Sequence, residues 1–150
     1  MIRKLRYFAV FMTLALTLMV TALAQTSKQG TAKPLSALKF EQDEDVPCLM
    51  SALETGDPAT GATTFMIKAP PKCLVRWHYH TAEEHLIVIR GAVLTEMEGM
   101  SPTLLESGGF AMMPGKAKHQ FSCQSNNECV MIVSFDRPYD IFWAEAANRK

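Results

Sequence analysis

The chain has 150 residues, of which 48% are hydrophobic, and it carries 15 basic and 15 acidic side chains. This length fits a single domain. The basic residues form no stripe of the kind that nucleic-acid-binding domains carry, so we expect no nucleic-acid partner.

The first 24 residues have the pattern of an export signal. Three basic residues lie between Met1 and Arg6, and residues 7 to 24 are almost wholly apolar and end in Ala22-Leu23-Ala24. This order predicts a secretory signal peptide that is cleaved after Ala24. An uncleaved membrane anchor is the alternative, because the apolar run is near the lower length for crossing a bilayer.

Cleavage removes three of the 15 basic residues and none of the acidic ones, which leaves a net charge of −3. We therefore expect a secreted or periplasmic protein with no membrane partner. A polar arm, residues 25 to 45, follows the signal and ends in the acidic cluster Glu41 to Asp45, which we expect to be a solvated loop. The folded domain is predicted for residues 46 to 143 and a C-terminal tail for residues 144 to 150.

Short apolar segments separated by glycine and proline turns fill the predicted domain. The predicted strands are residues 46–53, 62–69, 73–80, 84–89, 92–97, 103–106, 110–113, 119–123, 129–135 and 139–143. The strands at 119–123 and 129–135 are expected to form a hairpin. Many short strands with this punctuation, and no long segment of helical period after the signal, predict an all-β sandwich or barrel.

All four cysteines lie after the predicted cleavage site, and an even number in an exported chain indicates two disulfides. The hairpin-like loop between Cys123 and Cys129 favours that pair, which leaves Cys48 to bond Cys73. Free thiols or soft metal ligands are the alternative, but the spacing lacks the C-x-x-C pair typical of zinc sites.

His78 and His80 stand at alternate positions of a predicted strand, so their side chains share one face, with Cα atoms about 6.6 Å apart. Glu84 follows after a short kink and can add a carboxylate oxygen. Imidazole and carboxylate together suit Fe, Mn, Ni, Cu or Zn. The alternative is a set of polar residues on a solvated strand face.

A second histidine segment lies further along the chain. A glycine turn at 108–109 leads to a short apolar strand, a turn at Pro114-Gly115 and then His119, which opens the next strand. In a closed barrel, such a turn can bring His119 beside the strand of His78 and His80.

These two segments resemble the two motifs of the cupin superfamily. The first motif, G-x5-H-x-H-x3,4-E-x6-G, is matched at four positions: His78, His80, Glu84 and Gly91. The second, G-x5-P-x-G-x2-H-x3-N, is matched at three positions: Gly108, Pro114 and His119. Lys72 and Lys116 stand where the motifs have glycine, and Cys123 stands where the second has asparagine. Within the superfamily the chain is similar to small single-domain cupins with a Trp-His-x-His-Thr-Ala-x-Glu segment.

The resemblance covers roughly residues 46 to 135 and implies a double-stranded β-helix, or jelly roll, with a metal ion at the mouth of the barrel. The ligands that it implies are His78, His80, Glu84 and His119. Four protein ligands leave about two positions of an octahedral ion open for water, dioxygen or substrate. If the turn differed by one residue, Glu83 would replace Glu84. The resemblance also makes a homodimer, paired through its sheets, plausible.

The function that we expect is a metal-dependent oxidoreductase of the dioxygenase type, acting on a small organic molecule, with Glu84 also as the catalytic proton shuttle. A non-catalytic module that binds a metal or small ligand is one alternative, and a metal-dependent isomerase or lyase is another. A divalent ion with one carboxylate leaves the site net positive, which favours anionic or enolate-like substrates.

Some neighbouring side chains are expected to have no part in the site. His85 follows Glu84 directly and so points to the opposite face of its strand. Met112 and Met113 are expected in the core, and Phe121 either in the core or against the pocket.

Overall fold

A computed structural model describes residues 29–145. The predicted signal peptide, residues 1 to 24, lies outside the described residues, as do the last five residues of the predicted tail. Among the described residues, no helix is long and apolar enough to cross a bilayer.

Apart from one short 3-10 helix, Leu35–Ala37, the regular structure of the described chain consists of β-strands. The strands are β1 (Glu41–Gln42), β2 (Met50–Gly56), β3 (Thr63–Ala69), β4 (Leu74–Tyr79), β5 (Glu84–Arg90), β6 (Val93–Met97), β7 (Thr103–Leu105), β8 (Phe110–Met113), β9 (His119–Cys123), β10 (Cys129–Phe135) and β11 (Phe142–Trp143). The predicted all-β class is confirmed.

The strands form two antiparallel sheets. The first has six strands in the order β1-β2-β3-β10-β5-β8, and the second has five in the order β11-β4-β9-β6-β7. Between β3 and β6 the chain passes from one sheet to the other at every connection, so most strands pair with partners that are distant in sequence. This arrangement is the predicted jelly roll.

Side chains that alternate inward from both sheets form the core. Leu86 and Val88 of β5, Val93 of β6 and Met131 of β10 are fully buried. Each buried aliphatic side chain of this size contributes about 1.5–3 kcal/mol relative to an exposed one. The core therefore holds the sheets face to face and fixes the strands that carry the histidine motifs.

The predicted hairpin of residues 119–123 with 129–135 is wrong. β9 pairs with β4 and β6, whereas β10 pairs with β3 and β5. Residues 124–128 therefore carry the chain between the sheets, and the Cys123–Cys129 disulfide joins one sheet to the other. The second predicted bond, Cys48–Cys73, is also present. The pairing was correct although the hairpin that favoured it does not exist.

The chain before β2 also differs from the prediction. Glu41–Gln42, expected in a solvated loop, pairs with Met50 and Ser51 of β2. Residues 46–49, expected in a strand, instead form a turn in which the Leu49 N–H donates to the Val46 carbonyl at 2.8 Å. Val46 and Leu49 are buried without belonging to a strand, because the turn folds their side chains onto the core.

The expected burial of both methionines in 110–113 is half correct. Met113 is 2% exposed, but Met112 is 42% exposed. β8 is the edge strand of the six-stranded sheet, and side chains alternate between the two faces of a strand, so only one of two neighbours can enter the core.

Candidate metal centre

Four buried side chains meet between the two sheets. They are His78, near the end of β4, His80, just after β4, Glu84, the first residue of β5, and His119, the first residue of β9. Each offers one ligand atom, and these atoms all lie within 4.8 Å of one another. The structure thus brings together all four residues that the cupin resemblance singled out.

Strand pairing places the two histidines of the second sheet. In the β4–β9 ladder His78 is directly opposite His119, and their ring centroids are 4.2 Å apart. Side chains directly opposite each other in an antiparallel pair lie on the same face. The two imidazoles therefore share the inner face of the sheet and enter the barrel together.

The turn of the second motif packs against the first motif. The Lys116 N–H donates to the His80 carbonyl at 2.7 Å. A Cβ added to Gly115 would lie 2.6 Å from the Thr81 carbonyl oxygen, which is closer than Cβ atoms approach in folded proteins. Glycine at position 115 is thus required for the turn to reach the segment that follows β4.

Lys72 and Lys116, which replace the motif glycines, keep a glycine-like backbone. Their φ angles are 66° and 69°, in the left-handed region where L-residues other than glycine are rare. The chain therefore retains the backbone path of both motifs at these positions, although lysine makes that path less favourable than glycine would.

Main-chain carbonyls orient the three imidazoles. Each histidine places Nδ1 within hydrogen-bonding distance of a carbonyl oxygen: that of Arg76 for His78, at 2.6 Å, that of Ala117 for His119, at 2.8 Å, and that of Asp140 for His80. A carbonyl can only accept, so Nδ1 carries the proton and donates. The lone pair of each Nε2 is then left for a metal ion, as in most histidine metal sites.

The carboxylate of Glu84 completes the donor set. Its Oε2 lies 3.1 Å from Nε2 of His80 and 3.0 Å from Nε2 of His119. Two ligand atoms that each bind one ion at about 2.1 Å, at a right angle to each other, are about 3.0 Å apart. Three imidazoles and one carboxylate at this spacing fit a divalent first-row metal ion.

The ionisation of His78 and Glu84 also suits metal binding. Burial, with a contribution from His119, lowers the pKa of His78 to about 4, so this imidazole is neutral near pH 7. Burial alone would raise the pKa of Glu84, but hydrogen bonds and charges of His119 and His80 outweigh it and lower that pKa. Burial alone would lower the pKa of His80, but the hydrogen bond with Glu84 and the charge of Glu84 outweigh burial and raise that pKa. A neutral imidazole and an ionised carboxylate are the forms that bind metals.

A cavity of about 380 Å³ opens above these residues. Its walls are mainly apolar, and Phe121, which was expected in either the core or the pocket, belongs to both, because it is buried and also lines the cavity. The acidic segment Glu41 to Asp45 also lines the cavity, and the Tyr139 hydroxyl donates to the Asp45 carboxylate at 3.3 Å. The segment predicted to be a solvated loop therefore borders the cavity.

Other candidates lie outside the cluster. Glu83, the alternative to Glu84, is paired instead with His85 at 2.8 Å on the half-exposed side of the sheet. Sequence reasoning missed Asp140, whose carbonyl orients His80. It lies 60 residues from His80 and belongs to neither motif, so no sequence pattern indicates the contact.

The family model for the cupin domain matches residues 65–135, which include all four residues of the cluster. Solved cupin structures also superpose on the chain. The chain therefore contains a cupin domain. A comparison with curated protein sequences gives no match.

Several solved structures share the fold of this cupin. KdgF from Halomonas sp. is 17% identical with a TM-score of 0.61, over 73% of this chain and 96% of that one. The polyketide cyclase RemF from Streptomyces resistomycificus is 15% identical with a TM-score of 0.66, over 80% and 89%. A sugar phosphate isomerase from Silicibacter pomeroyi is 13% identical with a TM-score of 0.63, over 77% and 83%. These identities establish a shared fold and no shared reaction.

Proposed function

We propose that this cupin is an exported metalloenzyme that acts on a small organic molecule, with His78, His80, Glu84 and His119 holding one divalent first-row ion. The observation that carries the proposal is the convergence of three Nε2 lone pairs and one carboxylate in a buried cluster beside a cavity. The ion is one of Fe, Mn, Ni, Cu or Zn, since this donor set suits each of them.

The ion supplies Lewis acidity or redox chemistry when it is bound. The chain's own residues contribute the remaining functions. The three imidazoles are held in one tautomer by main-chain carbonyls, and Glu84 is both a ligand and the group best placed to carry a proton to or from a substrate. The apolar cavity walls exclude water from that carboxylate.

The reaction that we propose first is dioxygenase-type oxidation. About two positions of an octahedral ion remain after four protein ligands, enough for a substrate and dioxygen. A metal-dependent isomerase or lyase reaction is the second candidate, which we keep because the neighbours that share the fold include a sugar phosphate isomerase and a DMSP lyase. A non-catalytic binding module is the third.

The cavity indicates the size of the substrate. At about 380 Å³ it lies within the range typical of small-molecule sites. A divalent ion with one carboxylate leaves the centre itself net positive and favours an anionic or enolate-like reacting group. The acidic segment Glu41 to Asp45 in the cavity wall disfavours further negative charge on the rest of the molecule. We infer a small organic molecule with that group at the ion and an apolar body against the cavity walls.

Elemental analysis of the exported protein tests the metal proposal. We expect about one first-row ion per chain in the unmodified protein and in His85→Ala, which removes a histidine outside the cluster. His78→Ala and His119→Ala should lose most of the ion. Full occupancy in both of these variants would rule out the proposed ligand set.

Oxygen consumption distinguishes the candidate reactions. We expect the metal-loaded protein to consume dioxygen when a library of small organic acids and enols is added. Product formation without oxygen uptake would favour the isomerase or lyase, and retention of a compound without turnover would favour the binding module.

The disulfides support the cellular context that we propose. The two disulfides fit an extracellular or periplasmic protein.

A patch of exposed apolar side chains on the outer face of the six-stranded sheet supports a homodimer: Ile87, Ile89, Phe110 and Met112. We expect Phe110→Asp to shift the mass from dimer to monomer in light scattering, and a monomeric unmodified protein would contradict this pairing.

A further inference from the structure

His80 is held differently from the other two histidines. His78 and His119 donate to carbonyls of residues two positions earlier on the chain, so the local backbone orients their rings. His80 instead donates to the carbonyl of Asp140, 60 residues away. Because His80 lies beyond the end of β4, no strand pairing fixes its own backbone.

The side chain of Asp140 forms two hydrogen bonds with Thr81, the residue that follows His80. Its Oδ1 accepts the Thr81 main-chain N–H at 2.8 Å, and its Oδ2 accepts the Thr81 hydroxyl at 2.6 Å. Together with the carbonyl bond to His80, three hydrogen bonds tie one residue to two consecutive residues of the histidine motif. Bonds to an ionised carboxylate are about twice as strong as bonds between neutral groups.

Other contacts hold the residues on either side of Asp140. β11, which follows it, pairs with Tyr79 and His78 of β4, and before it the Tyr139 N–H donates to the Pro58 carbonyl at 2.8 Å. The Tyr139 ring also lies 5.5 Å from the His80 ring, measured between centroids. These contacts bring residue 140 to the turn after β4, and the two bonds of its carboxylate to Thr81 are the side-chain contacts of Asp140 itself that hold its carbonyl there.

We propose that Asp140 is a positioning residue of the metal centre, which clamps Thr81 with its carboxylate and thereby holds its own carbonyl against Nδ1 of His80. This keeps the Nε2 lone pair of His80 directed at the cluster. Tyr139 and Ile141, on either side of Asp140, both line the cavity, so the clamp also fixes the cavity wall relative to a metal ligand. The inference rests on the proposed function, because it assigns a role toward the ion that the cluster binds.

Two substitutions at Asp140 test the clamp, with Zn²⁺ affinity measured by competition against a chromophoric chelator. Asp140→Ala removes both side-chain bonds and should weaken binding about 10-fold or more, the range typical of residues that orient metal ligands. Asp140→Asn should stay within about 3-fold of the unmodified protein, because an amide oxygen still accepts the Thr81 N–H and its NH₂ can donate to the hydroxyl.

Asp57→Ala is the matched control. Asp57 makes the same two kinds of bond, accepting the Ala59 N–H at 2.9 Å and the Thr60 hydroxyl at 3.0 Å, in an exposed turn. Its side chain contacts no residue of the cluster, so we expect unchanged Zn²⁺ affinity. If Asp140→Ala does not fold, Thr81→Val and Thr81→Ser replace it. Serine keeps the hydroxyl bond to Asp140 and should leave Zn²⁺ binding unchanged, whereas valine loses that bond and should weaken Zn²⁺ binding.

Nitrogen-15 NMR of the histidine rings gives a readout that a merely structural role would not move. In the metal-free protein we expect the His80 Nδ1–H to show the signal of a hydrogen-bonded proton, and in Asp140→Ala to lose that bond while Nδ1–H of His78 and His119 keep theirs. Unchanged His80 signals and unchanged Zn²⁺ affinity in Asp140→Ala would overturn the inference. Absence of Zn²⁺ binding by the unmodified protein would instead refute the proposed function, and the metal-free spectra would still decide the role of Asp140.

Discussion

The four residues of the centre fall into two pairs that are placed by different means. His78 and His119 lie opposite each other on paired strands, and each ring is oriented by a nearby carbonyl. His80 and Glu84 flank the turn that leads from one sheet to the other, where contacts from distant parts of the chain hold the backbone. The rings of the strand-borne pair are thus oriented by their own local backbone, whereas the turn-borne pair depends on contacts from distant segments.

This difference has a consequence for mutations. A change remote in sequence but close to the turn should disturb His80 and Glu84 while leaving His78 and His119 in place. The strand-borne pair should be lost only when a histidine itself is replaced or the β4–β9 ladder is broken.

The largest effect is expected from Glu84→Gln, which removes the negative charge of the turn-borne pair and keeps the size of the side chain. Residues that merely orient ligands change metal affinity 10- to 100-fold, so loss of a ligand charge should weaken Zn²⁺ binding by more than about 100-fold. Glu83→Gln, at the exposed neighbour, is the control and should bind normally. Equal affinity in both variants, measured by competition titration, would remove Glu84 from the donor set.

Gly115→Ala should have the next largest effect. The added methyl group would meet the Thr81 carbonyl at 2.6 Å and push the second-motif turn away from His80. We expect a loss of about 1–3 kcal/mol in the free energy of unfolding, as for other overpacked sites, together with weaker Zn²⁺ binding. Gly61→Ala, where nothing lies within 4 Å, is the control for urea unfolding. Equal stability of the two variants would mean that the turn does not need this close approach.

The smallest effect is expected from Lys116→Gly, and it is a gain. Relief of the left-handed backbone at this lysine should raise the free energy of unfolding by about 0.5–1 kcal/mol, after allowing for the flexibility of glycine in the unfolded chain. Lys118→Gly, at a neighbouring position without a positive φ, should instead lower it. A loss of stability in Lys116→Gly would show that the lysine side chain contributes more than its backbone costs.

The sequence predicts which side chains come together where the pattern lies within one short segment. The alternate spacing of His78 and His80 and the position of Glu84 were visible in one short segment, and the cupin resemblance added His119. All four meet in the structure. The two motif positions at which lysine replaces glycine still indicate the backbone path, because Lys72 and Lys116 keep a positive φ.

Prediction failed where the outcome depends on which sheet a strand joins. A short polar loop between two apolar strands has the same composition in a hairpin and in a sheet crossing, so the path from β9 to β10 was predicted wrongly. Composition likewise does not distinguish the turn at 46–49 from a strand, because apolar residues occur in both. The contact of Asp140 with His80 arises only when the end of the chain returns to β4.

The central claim is that one ion lies among these four side chains, and anomalous diffraction from crystals of the metal-loaded protein tests it most directly. Data collected above and below the absorption edge of the bound metal should show one peak within bonding distance of three Nε2 atoms and the Glu84 carboxylate. A crystal with confirmed metal content that shows its peak elsewhere, or that has no peak between the two sheets, would contradict the account.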